Sequence, residues 1–494
     1  MSFWRRSIGR GFIMLAQAVV TRGLGLISAA LLARVLTPAD WGSVQAVVQT
    51  AGTMAQTLKL SVDAGLQIRL SETAREPTDP TDEEFLGGGL VLLGVVSLTG
   101  LLLGLMLGGP TAKLFGEPAL APYMGWAGWL AAGQLVSQVG VVLLAYGAVR
   151  TLAFAYVGIN SAYLALIVIA YAVNVRGLML GLTTQLFLQL GLALTLLALA
   201  LRAWRARAKT PKLSRFWRTQ GELLRIGLPV HLAGAVPALV GLLVSANLAR
   251  TSGIAGLAEL RVVTTMNQLV TLLPGSMAVA FLTEFASARG NAKQVLPSDL
   301  LRYIRLILAN AILVAATAAW AARFIVPLAF GATYAPVVKL TSLGVASALV
   351  LVTKQAILTG LMSERRTGYA LTDSLVSSVV YALLALWLQP RFGLAGMLIS
   401  ELLGHLTALI LLAWLLSGRF MQTPSARPAL KTALVLAFTL LALACTFSVY
   451  DLPWGPLSSS LLLISLCAGL PWALFTSDER STLWRLARTR LKVR

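Results

Sequence analysis

Long apolar runs separated by short polar connections extend along most of this chain. Fourteen of these runs are long enough to cross the roughly 30 Å hydrocarbon core of a bilayer as α-helices. The first seven are Phe12–Ala33, Val44–Ile68, Leu86–Leu107, Tyr123–Gly147, Leu152–Val173, Leu178–Leu201 and Leu224–Leu248. The second seven are Leu257–Phe285, Leu306–Val326, Val337–Leu361, Tyr369–Leu388, Leu394–Leu416, Ala429–Val449 and Leu457–Phe475. The pattern predicts an all-α polytopic membrane protein with about 14 transmembrane helices, of which the second, eighth and tenth are the most polar.

Composition agrees with this prediction and excludes a soluble protein. Apolar residues make up 57% of the 494 residues, charged residues make up 12%, and the mean hydropathy is +0.80. The net charge of +21 would suggest nucleic-acid binding in a soluble protein, but most basic residues here lie between apolar runs. The two cysteines, Cys445 and Cys467, lie inside apolar runs without metal-ligand spacing. We therefore predict an integral membrane protein with no nucleic-acid partner, no metal site and no catalytic residues.

The distribution of lysine and arginine predicts the orientation in the membrane. With an inward N-terminus, 29 of the 40 basic residues fall in inner segments and 7 in outer segments, while the other four lie within spans. Short cytoplasmic loops carry such an excess of basic residues. The sequence thus predicts an even number of crossings with both termini in the cytoplasm.

A weak internal repeat divides the spans into two parallel sets of six. Leu32-Ala33-Arg34 recurs 216 residues later as Leu248-Ala249-Arg250, and Gly177-Leu178 recurs at the same spacing as Gly393-Leu394. The resulting domains are an N-terminal six-helix bundle (1–201), a basic cytoplasmic linker (202–223), a C-terminal six-helix bundle (224–417), and two additional helices with a basic tail (418–494). Parallel repeats of this kind bind their substrate between the halves.

Four basic residues inside the predicted spans are candidates for a cationic substrate-binding cavity: Arg22, Lys59, Arg261 and Lys354. Arg22 lies ten residues past Phe12, which puts it near the middle of the bilayer, where an uncompensated charge is costly. The alternatives are that Arg22 pairs with an acid on another helix, that Lys59 pairs with Asp63, and that Arg261 and Lys354 reach the interface.

Acidic and histidine side chains in the second half are candidates for ion coupling. Asp373 begins the eleventh span, and Glu401 and His405 lie four residues apart on one face of the twelfth. Their counterparts in the first half, Gln185 and Gln189, cannot titrate. Because the chain has no ATP-binding loop motif, directionality must come from an ion gradient or from downstream removal of the product. We expect no cofactor, and these residues are candidates for coupling to an H⁺ or Na⁺ gradient; a structural polar contact is the alternative.

Several motifs resemble one family of membrane transporters. These are ARVLTPADWG from Ala33, DAGLQ from Asp63, AFGATYAPVVKL from Ala329 and RFGLAGM from Arg391. They resemble the polysaccharide transporter family, which includes the Wzx-type O-antigen and exopolysaccharide flippases of the multidrug/oligosaccharidyl-lipid/polysaccharide exporter superfamily. The resemblance implies twelve helices in two bundles plus two more helices. The segment from Arg22 also resembles the related lipid II flippases, which implies that Arg22 and Arg34 line a central cavity.

These observations together predict a flippase and leave alternatives open. The expected activity is translocation of a polyprenyl-pyrophosphate-linked oligosaccharide to the outer leaflet of the bacterial inner membrane, by alternating access, for O-antigen, capsule or exopolysaccharide synthesis. Its expected partners are membrane lipids, a polymerase and a chain-length regulator. The alternatives are an ion-coupled exporter of drugs or small amphiphiles, and a membrane enzyme or scaffold of polysaccharide assembly. Because the predicted outer loops are too short for a catalytic domain, an enzyme is not expected.

Overall fold

The computed structural model describes residues 3–60, 63, 66, 81–175, 177–205, 216–290, 297–363 and 368–420. Ten long helices follow one another before residue 364: α1 Phe3–Val35, α2 Pro38–Leu58, α3 Thr81–Met106, α4 Trp126–Ser137, α5 Val149–Ala172, α6 Leu178–Arg205, α7 Phe216–Ser252, α8 Ala255–Gly290, α9 Pro297–Ile325 and α10 Val338–Ser363. The last helical stretch, Gly368–Phe420, is interrupted at Gly393 and forms α11 (368–392) and α12 (394–420). Every regular element of the described residues is helical, so the all-α prediction is confirmed.

Short helical segments connect some of the long helices. Gly108–Leu114, Pro118–Leu120 and Ala121–Met124 follow α3, and Gly140–Ala145 follows α4. The π-helical turn Val326–Phe330 and the 3₁₀ segment Ala332–Val337 follow α9. The fourth predicted span is therefore broken into short helices, which its hydropathy does not reveal.

Nine segments of the described residues are long and apolar enough to cross a membrane, and the chain is a multi-pass membrane protein. Neither α2 nor α8 is among them, whereas the segment Ala332–Met362, which includes α10 up to Met362, is. Helix α2 packs against α7 and α8, and α8 also packs against α1. Because α2 and α8 face other helices on several sides, they tolerate more polar residues than a helix that faces lipid.

Glycines allow very close helix contacts within the first half, α1–α6. A Cβ atom added to Gly104 of α3 would lie 2.2 Å from the Cα of Gly128 on α4. A Cβ atom on Gly133 of α4 would lie 3.1 Å from the backbone of Gln189 on α6. Small residues at such crossings let the backbones approach and gain dispersion contacts, which drive helix association in lipid.

The repeat has a conformational basis at its glycines. Gly177 precedes α6 with a φ of 95°, and Gly393 precedes α12 with a φ of 53°. Both angles lie in the left-handed region, which glycine adopts without a steric penalty. The recurring Gly-Leu pair therefore marks equivalent starts of the sixth helix in the first half and in the second half, α7–α12.

The predicted linker and the two additional helices lie partly or wholly outside the described residues. Helix α6 continues to Arg205 and α7 begins at Phe216, so both helices extend into the predicted linker, 202–223. The two additional helices, Ala429–Val449 and Leu457–Phe475, and the basic tail lie outside the described residues. Their presence stays a prediction.

Candidate functional site

A cavity of about 440 Å³ lies among α1, α2, α5, α6 and α8, and we call it the arginine cavity. This volume falls within the range of small-molecule sites. Two charged residues line it, Arg22 of α1 and Arg261 of α8, and no acidic residue does. The side chain of Arg22 is exposed and that of Arg261 is half-buried. Within the described part of the chain, no ion pair joins either guanidinium to a carboxylate.

The two guanidinium groups are close enough to interact electrostatically, and Tyr163 of α5 lies within range of Arg261 as well. Two like charges near each other in a partly desolvated site raise its energy unless an anion is present. The cavity is therefore complementary to a negatively charged group. Arginine suits this task because its charge is permanent and its forked donors fit phosphate oxygens.

The rest of the polar lining consists of uncharged hydrogen-bonding side chains. These are Gln17, Thr21, Gln45, Tyr156, Asn160, Tyr163, Gln185, Gln189, Thr265 and Gln268. One contact within this set is direct, because Gln185 Nε2 donates to Tyr163 Oη at 2.7 Å. Amides and hydroxyls of this type are suited to binding sugar hydroxyls, since both donate and accept hydrogen bonds.

Helical periodicity explains how these residues come together. Gln185 and Gln189 lie four residues apart on one face of α6, and Arg261 and Thr265 have the same spacing on α8. On α1, the lining includes Gly25, one turn after Arg22, and a Cβ atom there would meet nothing within 4 Å. Because Gly25 has no side chain, α1 leaves space beside the guanidinium group of Arg22.

A second cavity of about 420 Å³, lined mainly by helices of the second half, has a different charge pattern. Lys354 of α10 and Asp373 of α11 form an ion pair at 2.9 Å, with side chains only 2% and 5% exposed. On α12, Glu401 Oε1 and His405 Nε2 are 4.0 Å apart. All four residues line this space, which we call the ion-pair cavity.

The predicted site residues thus separate into three groups. Arg22 and Arg261 share the arginine cavity, while Lys354 shares the ion-pair cavity with the predicted coupling residues. Lys59 lies 3.7 Å from Asp63, as its alternative interpretation requires, and lines neither of these two cavities. These placements show where the side chains lie, and their roles stay predictions.

Arg34 is also placed elsewhere than the resemblance implies. It does not line the arginine cavity, and its Nε donates to the carbonyl oxygen of Ala329 at 2.9 Å. Its Nη2 donates to the carbonyl oxygen of Leu328. Arg34 therefore makes a contact between the two halves at the end of α1.

Sequence reasoning missed most of the uncharged lining of the arginine cavity. The tyrosines Tyr156 and Tyr163 had no motif that distinguished them from lipid-facing aromatic residues. A usable signal existed at Gln45, which lies 216 residues before Arg261 and lines the same cavity. Testing each deep cation for a polar repeat counterpart would have found it.

Comparison with solved structures identifies the fold. The VcmN MATE transporter of Vibrio cholerae matches 86% of this chain and 98% of its own, with a TM-score of 0.65 at 15% identity. A lipid II flippase, MurJ, in an inward closed conformation matches 93% of this chain and 98% of its own, with a TM-score of 0.62 at 11% identity. The chain has the fold of MOP superfamily transporters. A MOP transporter of Pyrococcus furiosus, described as having a binding pocket of reverse polarity, matches 84% and 95% of the two chains, with a TM-score of 0.59 at 18% identity.

No protein-family model and no curated protein matches the chain. The MOP fold therefore rests on structure, and the choice of substrate depends on the cavity.

Proposed function

We propose that this protein is a flippase that moves a polyprenyl-pyrophosphate-linked oligosaccharide from the cytoplasmic to the outer leaflet of a bacterial inner membrane. The observation that carries the proposal is the arginine cavity, with two guanidinium groups that lack acidic partners among the described residues. In this proposal both termini are cytoplasmic, and the product is passed to a polymerase and a chain-length regulator.

The substrate poses a physical problem that this cavity can solve. Sugars and phosphates are too polar to enter hydrocarbon, whereas the polyprenyl tail can remain in lipid throughout. The carrier must replace water around the pyrophosphate with fixed positive charge and replace water around the sugars with amides and hydroxyls. Arg22 and Arg261 provide the charge, and the glutamines of α6 lie among the sugar-binding candidates.

Solved structures of similar proteins are consistent with a flippase. One similar protein is a lipid II flippase, and its match extends over 93% of the chain, compared with 86% for the MATE transporter of Vibrio cholerae. Another is a MOP transporter whose binding pocket is described as having reverse polarity. Both descriptions belong to those proteins, and they support the proposal by showing that the MOP fold accepts more than one kind of substrate.

An ion-coupled exporter of drugs or small amphiphiles is the second candidate. The ion-pair cavity favours it, because Asp373 and Glu401 could attract a cationic solute. The buried pair of Asp373 with Lys354 weakens this attraction, since the lysine already compensates one carboxylate. An anionic amphiphile would instead use the arginine cavity.

Directionality needs an energy source, and the proposal assigns it to the second half. A cation that binds at the ion-pair cavity must compete with Lys354 for Asp373 or must neutralise Glu401. Asp373 Oδ1 and His405 Nδ1 are buried without a hydrogen-bond partner among the described residues. An unsatisfied buried carboxylate oxygen is a place where H⁺ or Na⁺ would gain a contact, and an imidazole nitrogen without its proton can take one up.

The test is translocation of a fluorescent polyprenyl-pyrophosphate oligosaccharide in proteoliposomes. We expect Arg22→Gln and Arg261→Gln each to reduce the rate by about 10-fold to 100-fold, since a hydrogen bond to a charged group contributes about 1.5–3 kcal/mol. Arg391→Ala is a matched control, because this exposed arginine stacks on Trp387 of its own helix, 4.6 Å from the ring centre. The native chain must move at least one such lipid; if it moves none of several but expels small amphiphiles, the exporter function replaces this proposal.

A further inference from the structure

The two copies of the Leu-Ala-Arg repeat make the same kind of contact in opposite directions between the halves. Arg34, at the end of α1, donates to the carbonyl oxygens of Leu328 and Ala329, which follow α9 in the second half. Arg250, at the end of α7, donates through Nη2 to the carbonyl oxygen of Lys113, and this hydrogen bond is 2.8 Å long. Lys113 follows α3 in the first half.

The residue numbers show that these contacts are equivalent. Arg34 and Arg250 are 216 residues apart, and their acceptors Lys113 and Ala329 are separated by the same interval. Each half therefore extends one arginine to the same position of the other half. A pair of reciprocal contacts with this spacing follows from the repeat itself, and not from an isolated surface encounter.

The acceptors are suited to a guanidinium group. Lys113 lies in the last turn of Gly108–Leu114, and Leu328 and Ala329 lie in the π-helical turn that ends α9. Carbonyl groups at the C-terminal ends of helices carry partial negative charge. The Lys113 oxygen also accepts from the backbone N–H of Gly116 at 3.1 Å, so Arg250 uses its second lone pair. Gly116, with a φ of 77°, lies against the Arg250 stem, where an added Cβ atom would be 3.0 Å from Cγ of the arginine.

Close packing between the halves surrounds both contacts. Trp41 of α2 stacks on Phe330 with ring centres 6.1 Å apart and meets the edge of Tyr334 at 5.6 Å. A Cβ atom added to Gly42 would lie 2.0 Å from the carbonyl oxygen of Ile254, between α7 and α8. Trp41 also lines the arginine cavity, so the tightly packed region borders that cavity.

We propose that Arg34 and Arg250 form a reciprocal pair of latches that holds the outer ends of the two halves together. The predicted topology places both arginines on the outer side of the membrane. Release of a substrate to that side requires the halves to separate there, and separation must break both latches. This proposal goes beyond the proposed function and holds for any solute, because neither arginine needs to touch it.

The latches make a prediction about conformational populations. A charge-assisted hydrogen bond that exists only in the closed state favours that state, and each latch contributes about a tenfold factor to the ratio of closed to open protein. If about 1% of the native protein is open, loss of one latch raises this to about 10%, and loss of both to about half.

Distance measurement between two spin labels tests this prediction directly. Labels at Ala119→Cys and Thr333→Cys report the separation of the two outer ends, because both positions are exposed and lie in opposite halves. The background carries Cys445→Ser and Cys467→Ser, which removes both native cysteines. The full-length chain is measured in lipid nanodiscs without substrate.

We expect Arg34→Ala and Arg250→Ala each to increase the long-distance population about tenfold, and the double variant to increase it further. Arg34→Lys keeps the charge but cannot reach both carbonyl oxygens with a fork, so an intermediate increase is expected and guards against misfolding of the alanine variants. Arg391→Ala is the control, because it removes an arginine predicted to lie on the same side whose ring contact stays within one half.

Coincident distance distributions for the native chain and the double variant would overturn the proposal. An equal shift in Arg391→Ala would overturn it as well, since the effect would then come from loss of surface charge. Because no substrate is present, these outcomes do not depend on whether the protein is a flippase or an exporter.

Discussion

The ion pair between Lys354 and Asp373 allows a quantitative test of the second half. The nitrogen–oxygen distance is 2.9 Å, and the two side chains are only 2% and 5% exposed. With an effective dielectric constant of about 20, the attraction at this distance is about 6 kcal/mol. Most of this offsets the cost of removing both charges from water, so the net contribution of the pair is small.

Breaking the pair on one side is a different perturbation from removing it. Lys354→Met leaves the Asp373 carboxylate buried without its partner, and we expect a loss of about 3–5 kcal/mol in the free energy of unfolding. Asp373→Leu should cost a similar amount. The double variant replaces both charges with apolar groups of similar size, and its loss should be within about 1–2 kcal/mol of the native protein.

The assay is unfolding in detergent micelles titrated with dodecyl sulfate and followed by tryptophan fluorescence. The four proteins form a double-mutant cycle, in which the coupling energy is the failure of the two single changes to add. If the double variant loses the sum of the single losses, the pair contributes no specific coupling. The structural argument for the ion-pair cavity would then be refuted.

Two further predictions concern helix packing and coupling. Gly104→Val should destabilise the protein by about 1–3 kcal/mol or more, because its Cβ atom would lie 2.2 Å from the Cα of Gly128. Gly94→Val on the same helix is the control, since that position faces open space and the change should alter stability little. Equal losses for the two variants in the same unfolding assay would contradict the packing argument. Glu401→Gln and His405→Ala should abolish the dependence of transport on an imposed pH gradient, because neither new side chain exchanges a proton near neutral pH. If transport in proteoliposomes stays equally pH-dependent, both residues are excluded from coupling.

Hydropathy alone was sufficient to predict the all-α membrane fold and the positions of most long helices. It was weakest for α2 and α8, which have too many polar residues to qualify as spans by composition. Both helices pack against several other helices, and their polar residues line cavities or form contacts between halves. Gln49 of α2, for example, donates to Ser245 of α7 at 2.7 Å. The same amide nitrogen also donates to the carbonyl oxygen of Gly241 at 3.0 Å, so contacts across more than 190 residues explain why that side chain is tolerated.

The site could be predicted in part. Arg22 stood out because a permanent charge near mid-membrane requires a polar environment, and the structure places it in a cavity. Lys354 lies seven residues from the end of its predicted span, which suggested that it reaches the interface, yet its side chain is only 2% exposed and pairs with Asp373 on another helix. Sequence spacing identifies pairs within one helix, such as Lys59 and Asp63, but it carries no information about which helices pack together.

The repeat clarifies why one fold contains two cavities of opposite character. Gln185 and Gln189 of α6 line the arginine cavity, and the residues 216 positions later, Glu401 and His405, line the ion-pair cavity. Equivalent helices therefore present neutral amides in one half and titratable groups in the other. Neutral amides leave the guanidinium charges uncompensated, which favours an anionic solute, whereas acids attract a small cation. An anion in the arginine cavity and a cation in the ion-pair cavity can bind together without competing for the same charges, as the proposed coupling to an ion gradient requires.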